Sequence, residues 1–124
     1  MQYNADLIRK LLFVMDAKLH GINSLSINDL YHLLPGYTPD EISNHVLLLQ
    51  TQNCLDVQNT YLQGKLVDTV ISKVTLDGQK LFTAAGDSQS WSGFLKTAKS
   101  DNGFINNVGF SNALISVLYS GPIL

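Results

Sequence analysis

Cysteine is almost absent from this chain of 124 residues, because Cys54 is the only one. A single cysteine excludes an intramolecular disulfide framework and a thiolate metal cage. The three histidines, His20, His32 and His45, lack a companion at the spacing that metal sites use. We therefore expect no metal and no cofactor, and an inert, half-buried thiol at Cys54.

Long hydrophobic runs are absent as well. The longest apolar clusters, LLFVM and VLLL, are far shorter than the about 20 residues that a membrane-spanning helix needs. The first residues, MQYNADLIRKLL, lack the charged-then-apolar pattern of a secretory signal. We therefore expect one globular domain in the cytoplasm, since 45% of the residues are hydrophobic and only 15% are charged.

Positive charge is scarce, and it is missing from the middle of the chain. Eight Lys and Arg stand against ten Asp and Glu, which gives a net charge of −2. No Lys or Arg lies in residues 19–64, an interval that holds four acids: Asp29, Asp40, Glu41 and Asp56. The overall charge therefore gives no reason to expect nucleic acid or an anionic membrane as a partner.

Apolar periodicity and capping residues predict the first half of the fold. A helix is predicted over residues 4–19, with Asn4 or Asp6 as its N-cap and Gly21 at its end. A short strand at Leu25 and a short helix capped by Ser26 follow. The segment TPDE then has Thr38 at the N-cap, Pro39 at the first helical position and Glu41 in a capping box, which predicts a helix over 39–53.

The second half begins with period-two alternation from Leu55, which predicts two strands. Gln63, Gly64 and Lys65 are expected to turn this hairpin, in a loop longer than two residues. A further helix is predicted between Thr75 as its cap and Gly86 at its end.

Two more amphipathic helices are predicted after residue 86, from SWSGFLKTAK and GFSNALISVLYS. Ser111 is the expected cap of the last helix, whose apolar positions share one face: Phe110, Ala113, Leu114, Val117 and Leu118. Phe13 lies on the polar face of the first helix, and we expect the C-terminal helices to cover it or to pack against a second copy. Trp91 is expected to fix this extension to its own domain.

The order of these elements predicts a mainly α (α+β) winged helix-turn-helix with a small β-hairpin wing at residues 60–68. We assign residues 1–86 to the winged-helix domain. Residues 87–124 form a C-terminal helical extension, packed on that domain or on a second copy.

Four segments, in order, resemble the domain of unknown function 2513 family: NADLIRKLLFVMDAK, GYTPDEISNHVLLLQTQNCLD, ISKVTLDGQKLF and the lone tryptophan at 91. VTLDGQKLF is similar to the family signature LTxxGhxFL, with matching residues at Val74, Thr75, Gly78, Leu81 and Phe82. Gln79 replaces the expected histidine. The resemblance implies a short phage, prophage or Firmicute protein with a winged-helix body, and it implies no biochemical role.

The outward face of the helix at 39–53 decides between DNA and protein as its partner. The inward residues are predicted to be Ile42, Val46, Leu49 and Asn53, with His45 beside them. The outward ones are Asp40, Ser43, Asn44, Leu47, Gln50 and Thr51. Asn44 and Gln50 have amides that pair with adenine edges. DNA binding, however, draws much of its affinity from cations against phosphates, and this helix has none.

Catalytic patterns are also missing. GFSNA is an incomplete nucleophile elbow, and the glycines form no phosphate-binding loop, so we expect no enzyme activity.

Our preferred hypothesis is non-catalytic recognition, by protein–protein contact that includes self-association. Its candidate residues are Ser43, Asn44, Leu47, Gln50, Phe110, Leu114 and Leu118.

Three alternatives stay open. The first is a DNA-binding regulator whose contacts are Asn44, Gln50, Lys65 and Lys73. The second is a phage-encoded inhibitor of a host protein, and the third is a solvated polar face with no partner.

Overall fold

A computed structural model describes residues 2–19, 24–100 and 103–119, with Leu66 described by its backbone alone. Over these residues the chain is an α+β protein with six helices and three strands. They are α1 (Ala5–Leu19), β1 (Leu25–Ser26), α2 (Ile27–Leu33), α3 (Pro39–Thr51), β2 (Leu55–Leu62), β3 (Lys65–Val74), α4 (Leu76–Ala85), α5 (Ser88–Ala98) and α6 (Asn107–Leu118). His20 and the expected helix end at Gly21 lie outside the described residues.

The three strands form one antiparallel sheet in the order β1-β3-β2. Leu62 pairs with Lys65, so the hairpin turn consists of Gln63 and Gly64 alone. Their φ angles are 52° and 79°, the left-handed pair that closes a two-residue hairpin. The prediction of a longer loop is therefore wrong. Gln63 adopts a left-handed backbone conformation, which is uncommon for glutamine and so is not predicted from its residue type.

Side-chain caps begin the helices, as polar residues at these positions predict. Ser26 and Thr38 each form a complete capping box, and Thr75 accepts a hydrogen bond from the amide of Gly78. At α1 the cap is Asn4, whose Oδ1 accepts from the Asp6 and Leu7 amides at 2.8 and 3.2 Å. The expected cap at Ser111 is wrong, because α6 is capped by Asn106, five residues earlier.

The end of α3 differs from the prediction. The helix stops at Thr51, and Asn53 has a left-handed φ of 63°. Its side chain is exposed, with Nδ2 donating to Asp77 Oδ2 at 3.2 Å, so the prediction that it faces the core is wrong. An asparagine tolerates this conformation because its short polar side chain bonds locally.

The segment VTLDGQKLF forms the joint between the end of α3 and the start of α4. Thr75 Oγ1 donates to the carbonyl of Asn53 at 2.6 Å and accepts from the amide of Gly78 at 3.1 Å. A Cβ atom on Gly78 would lie 2.1 Å from the carbonyl oxygen of Cys54, so only glycine fits. Thr75 and Gly78 of this segment are therefore explained by the close packing at the joint.

The C-terminal helices pack on α4 and on each other. Phe13 is covered by α4 instead, since its ring meets that of Phe82 edge-on at 5.4 Å. The expectation that the C-terminal helices cover Phe13 is therefore wrong, because α4 lies against this side of α1.

One buried core runs from α1 to α6, across the boundary predicted at residue 86. Trp91 is buried and its ring stacks on Phe94 at 4.9 Å, as expected for a residue that fixes the extension to its own chain. Tyr3 and Ile105 exchange two backbone hydrogen bonds and tie the start of the chain to the link between α5 and α6. The division into residues 1–86 and 87–124 stays a prediction.

Candidate interaction surfaces

The outward face of α3 is largely polar and has one large apolar residue at its centre. Leu47 is 52% exposed, while Ser43, Asn44 and Gln50 are half-buried. The inward side chains are buried: Ile42, His45, Val46, Leu48 and Leu49. The structure thus brings four of the predicted contact residues together on one helix face.

His45 is fully engaged inside the molecule. Its Nε2 accepts a hydrogen bond from the backbone amide of Asn4 at 2.9 Å, and Nδ1 lies 2.7 Å from the carbonyl oxygen of Glu41. Because a carbonyl only accepts, Nδ1 carries the proton and the ring is neutral. Burial lowers the pKa of His45. The histidine holds α1 to α3, and neither nitrogen is available to a ligand.

The end of the β2-β3 hairpin is apolar, which sequence reasoning missed. Tyr61, Leu62 and Val67 are 61%, 66% and 56% exposed. We call these three side chains the hairpin patch. The available signal was the loss of alternation in YLQGKLV, where apolar residues stand on both faces of the hairpin. Protruding apolar side chains of this size are typical of protein contact sites.

The cations of the described residues are scattered over several elements. On α1, Arg9 Nε donates to the carbonyl of Ala85 at 2.9 Å and Lys10 Nζ lies 2.9 Å from Asp6. Lys73 Nζ lies 3.4 Å from Asp56 Oδ2, so the acid offsets one of the two predicted phosphate contacts. Lys65 stands exposed at the hairpin turn. α3 itself has no Lys or Arg, and these four cations lie on α1 and β3.

The last helix turns a different face outward from the predicted one. Phe110 and Leu114 are buried, and Leu118 is half-buried, so these three do not form an interaction surface. The Phe110 ring meets that of Phe94 edge-on at 5.6 Å, which shows that the predicted stripe packs on α5. The placement of Phe110 and Leu114 at a surface is therefore wrong.

Three other apolar residues of α6 and its C-cap face outward. Val108, Ile115 and Tyr119 are 69%, 52% and 82% exposed. The sequence-based prediction missed this row because it considered only the stripe that begins at Phe110. The signal was the presence of apolar residues on both sides of the helix.

A groove of about 700 Å³ lies between α4, α5 and α6. Phe94, Ala113 and Val117 contribute its apolar side, while Lys80 and Asp87 are among its polar residues. A smaller groove of about 330 Å³ lies between α1, β3 and α4.

The only cysteine of the chain is in an environment that keeps its thiol unreactive. Cys54 is buried, and burial raises its pKa to about 12, so the thiol stays protonated at neutral pH. Within the described ranges, no three His, Cys, Asp or Glu side chains cluster as metal ligands. Among the same residues, no helix has the length and apolar character needed to cross a bilayer.

The architecture is that of an α+β domain with a three-stranded antiparallel sheet, a protruding hairpin and six surrounding helices in the described chain. A family model described as "Hypothetical protein (DUF2513)" matches residues 2–105, and the chain belongs to this family. The match confirms the resemblance drawn from the sequence segments. Helix α6 lies beyond the matched residues. Neither a curated protein nor a solved structure matches the chain.

Proposed function

We propose that this domain is a winged helix-turn-helix in which α2 and α3 form the helix-turn-helix and the β2-β3 hairpin forms the wing. The element order up to α4 supports this assignment. So does the sheet order β1-β3-β2, in which the short strand before α2 pairs with the second strand of the hairpin.

We propose further that the protein is a non-catalytic recognition module that binds another protein through α3 and the hairpin patch. The observation that carries this proposal is the apolar hairpin end, where three exposed apolar side chains stand beside the single cation Lys65. A wing that contacts DNA needs more positive charge there. Burying exposed apolar area contributes about 25 cal/mol per Å², and tyrosine is among the residues that most often dominate binding energy.

Leu47 is the corresponding contact on α3. Its side chain stands among Ser43, Asn44 and Gln50, which supply hydrogen-bonding groups around an apolar centre. An apolar centre with a polar rim is the usual composition of a protein–protein interface.

The competing proposal is a DNA-binding regulator with α3 in the major groove. It is favoured by Asn44 and Gln50, whose amides lie on the outward face, and by Lys65 at the hairpin turn. It requires a large phosphate-binding contribution, and acids flank the helix start at Asp40 and Glu41.

Affinity capture from a bacterial host lysate, treated with nuclease, tests the preferred proposal. The bait proteins are the unmodified chain, the double variant Tyr61→Ser/Leu62→Ser, and Leu76→Ser as a matched control. Leu76 is an exposed leucine at the start of α4, outside the hairpin patch. We expect one protein to be retained by the unmodified chain and by the control, and to be lost with the double variant. Equal retention by all three baits would contradict the proposal.

A DNA titration at low salt tests the competing proposal. We expect no saturable binding of pooled genomic DNA. Saturable binding that weakens steeply with added salt, and that Asn44→Ala and Lys65→Ala reduce, would establish the regulator instead.

A further inference from the structure

Helix α6 is apolar on both of its sides. Its inner side chains, Phe110, Ala113 and Leu114, are buried in the core. Its outer row of Val108, Ile115 and Tyr119 is exposed to solvent. The outer row is more apolar surface than the attachment of α6 requires, because one apolar face suffices to attach a surface helix to its domain.

The outer row follows the spacing of a helix–helix seam. Val108, Asn112, Ile115 and Tyr119 are separated by four, three and four positions, which is the d-a-d-a spacing of a heptad repeat. We call these four residues the α6 seam. Asn112 is exposed and is its single polar member. In coiled coils, one asparagine at such a position sets the register and the number of helices.

The seam is electrically neutral. Residues 102–124 contain no Asp, Glu, Lys or Arg. A partner that binds through opposite charges therefore has no charged side chain to contact on this helix. A second copy of the same helix meets it without like-charge repulsion, and the amide of Asn112 both donates and accepts a hydrogen bond.

We infer that two copies of this chain associate through the α6 seam. The contact is isologous, since each copy contributes the same row. A large side chain such as tyrosine buries roughly 150–250 Å². The other three seam residues are smaller than Tyr119, so the seam falls short of the ~800 Å² per partner of a standard interface. The dimer is therefore weak and forms reversibly with rising protein concentration. This inference goes beyond recognition through α3 and the hairpin patch and does not depend on it.

The first test is sedimentation equilibrium of the unmodified chain from about 1 to 500 µM, a range over which mass action populates a weak dimer. We expect the average mass to rise from that of the monomer toward twice that value. A monomeric mass at the highest concentration overturns the inference and leaves the proposed function intact, because the capture experiment is independent of it.

The second test is a charge swap at the centre of the seam. Ile115→Glu and Ile115→Lys are each expected to remain monomeric, since each variant brings like charges together. An equimolar mixture of the two is expected to recover dimerisation at least tenfold relative to either variant alone. Leu76→Glu, at an exposed leucine outside the seam, is the control that leaves dimerisation unchanged.

Two results would assign the contact elsewhere. Dimerisation that persists in Ile115→Glu and in Ile115→Lys overturns the inference. So does dimerisation that is lost in Tyr61→Ser/Leu62→Ser, which would place the contact at the hairpin patch. Circular dichroism of each variant checks that it is folded. The Ile115 variants are expected to fold, because Ile115 lies outside the core.

Discussion

Helices α3 and α6 are similar in construction and differ in the chemistry that they expose. Each begins at a side-chain cap and buries one apolar face. The outer face of α3 is polar around Leu47 and has acids at its start, whereas the outer face of α6 is apolar and uncharged. The comparison shows that the inner faces fix the fold, while the outer faces are free to take on different contacts.

The largest expected difference lies between the two faces of α6. Phe110→Ala should lower the free energy of unfolding by about 3–5 kcal/mol, because it leaves a cavity against Phe94. Ile115→Ala should change it by no more than about 0.5 kcal/mol, since that side chain is on the surface. Urea unfolding at low micromolar protein, which disfavours association by mass action, measures both. Similar losses in the two variants would show that the faces are assigned wrongly.

The second expected difference concerns how closely α6 approaches α5. A Cβ on Gly109 would lie 2.2 Å from the carbonyl oxygen of Ala98. Gly109→Ala should therefore cost about 1–3 kcal/mol of stability. Gly93→Ala on α5 is the matched control, since nothing lies within 4 Å of its added methyl group. That control should gain about 0.5–1 kcal/mol through helix propensity, and thermal melts of the pair distinguish the two outcomes.

The third prediction tests the inner face of α3 through pH. Because burial lowers the pKa of His45, the unfolded chain binds the proton more readily than the folded one. The contribution of His45 to stability is present above its ordinary pKa near 6.5 and is lost as the pH falls below that value. The slope is at most about 1.4 kcal/mol per pH unit.

Urea midpoints between pH 7.5 and 5.5 measure this loss. In His45→Gln the side chain keeps one hydrogen-bond acceptor and one donor group, but it does not titrate. The variant should therefore lose less stability over this interval. An unchanged pH profile in the variant would contradict the assignment of the loss to His45.

The smallest expected effects are at the caps of the two helices. Thr38→Ala and Asn106→Ala each remove a side chain that accepts from a backbone amide, and each should cost about 1 kcal/mol. Ser111→Ala is the control, because Ser111 lies inside α6 and caps nothing. Its unfolding free energy should stay within about 0.5 kcal/mol of the unmodified chain. A larger loss of stability in Ser111→Ala would show that Ser111 caps the helix, as the sequence predicted.

Local signals were sufficient to predict most of the helix starts. The boxes at Ser26 and Thr38 and the cap at Thr75 need only residues three positions away, so a sequence specifies them directly. Most of the outward face of α3 was also predictable, because helical spacing places Ser43, Asn44 and Gln50 opposite the buried Ile42, Val46 and Leu49.

Long-range packing explains what the sequence left undetermined. Whether α4 or the C-terminal helices cover Phe13 depends on tertiary geometry that no local pattern encodes. The two faces of α6 are both apolar, so periodicity alone gives no basis for choosing which one is buried. The left-handed residues Gln63 and Asn53, which set the hairpin turn and the end of α3, likewise follow from the pairing around them.

The bridge between Tyr3 and Ile105 has a consequence for how the chain is made. Its two halves leave the ribosome about a hundred residues apart, and synthesis proceeds at about 5–20 residues per second. Tyr3 must therefore wait several seconds for its pairing partner. Asn4 has its partners in the first turn of α1 and at His45 much sooner, so Tyr3 is secured after the helix that it precedes.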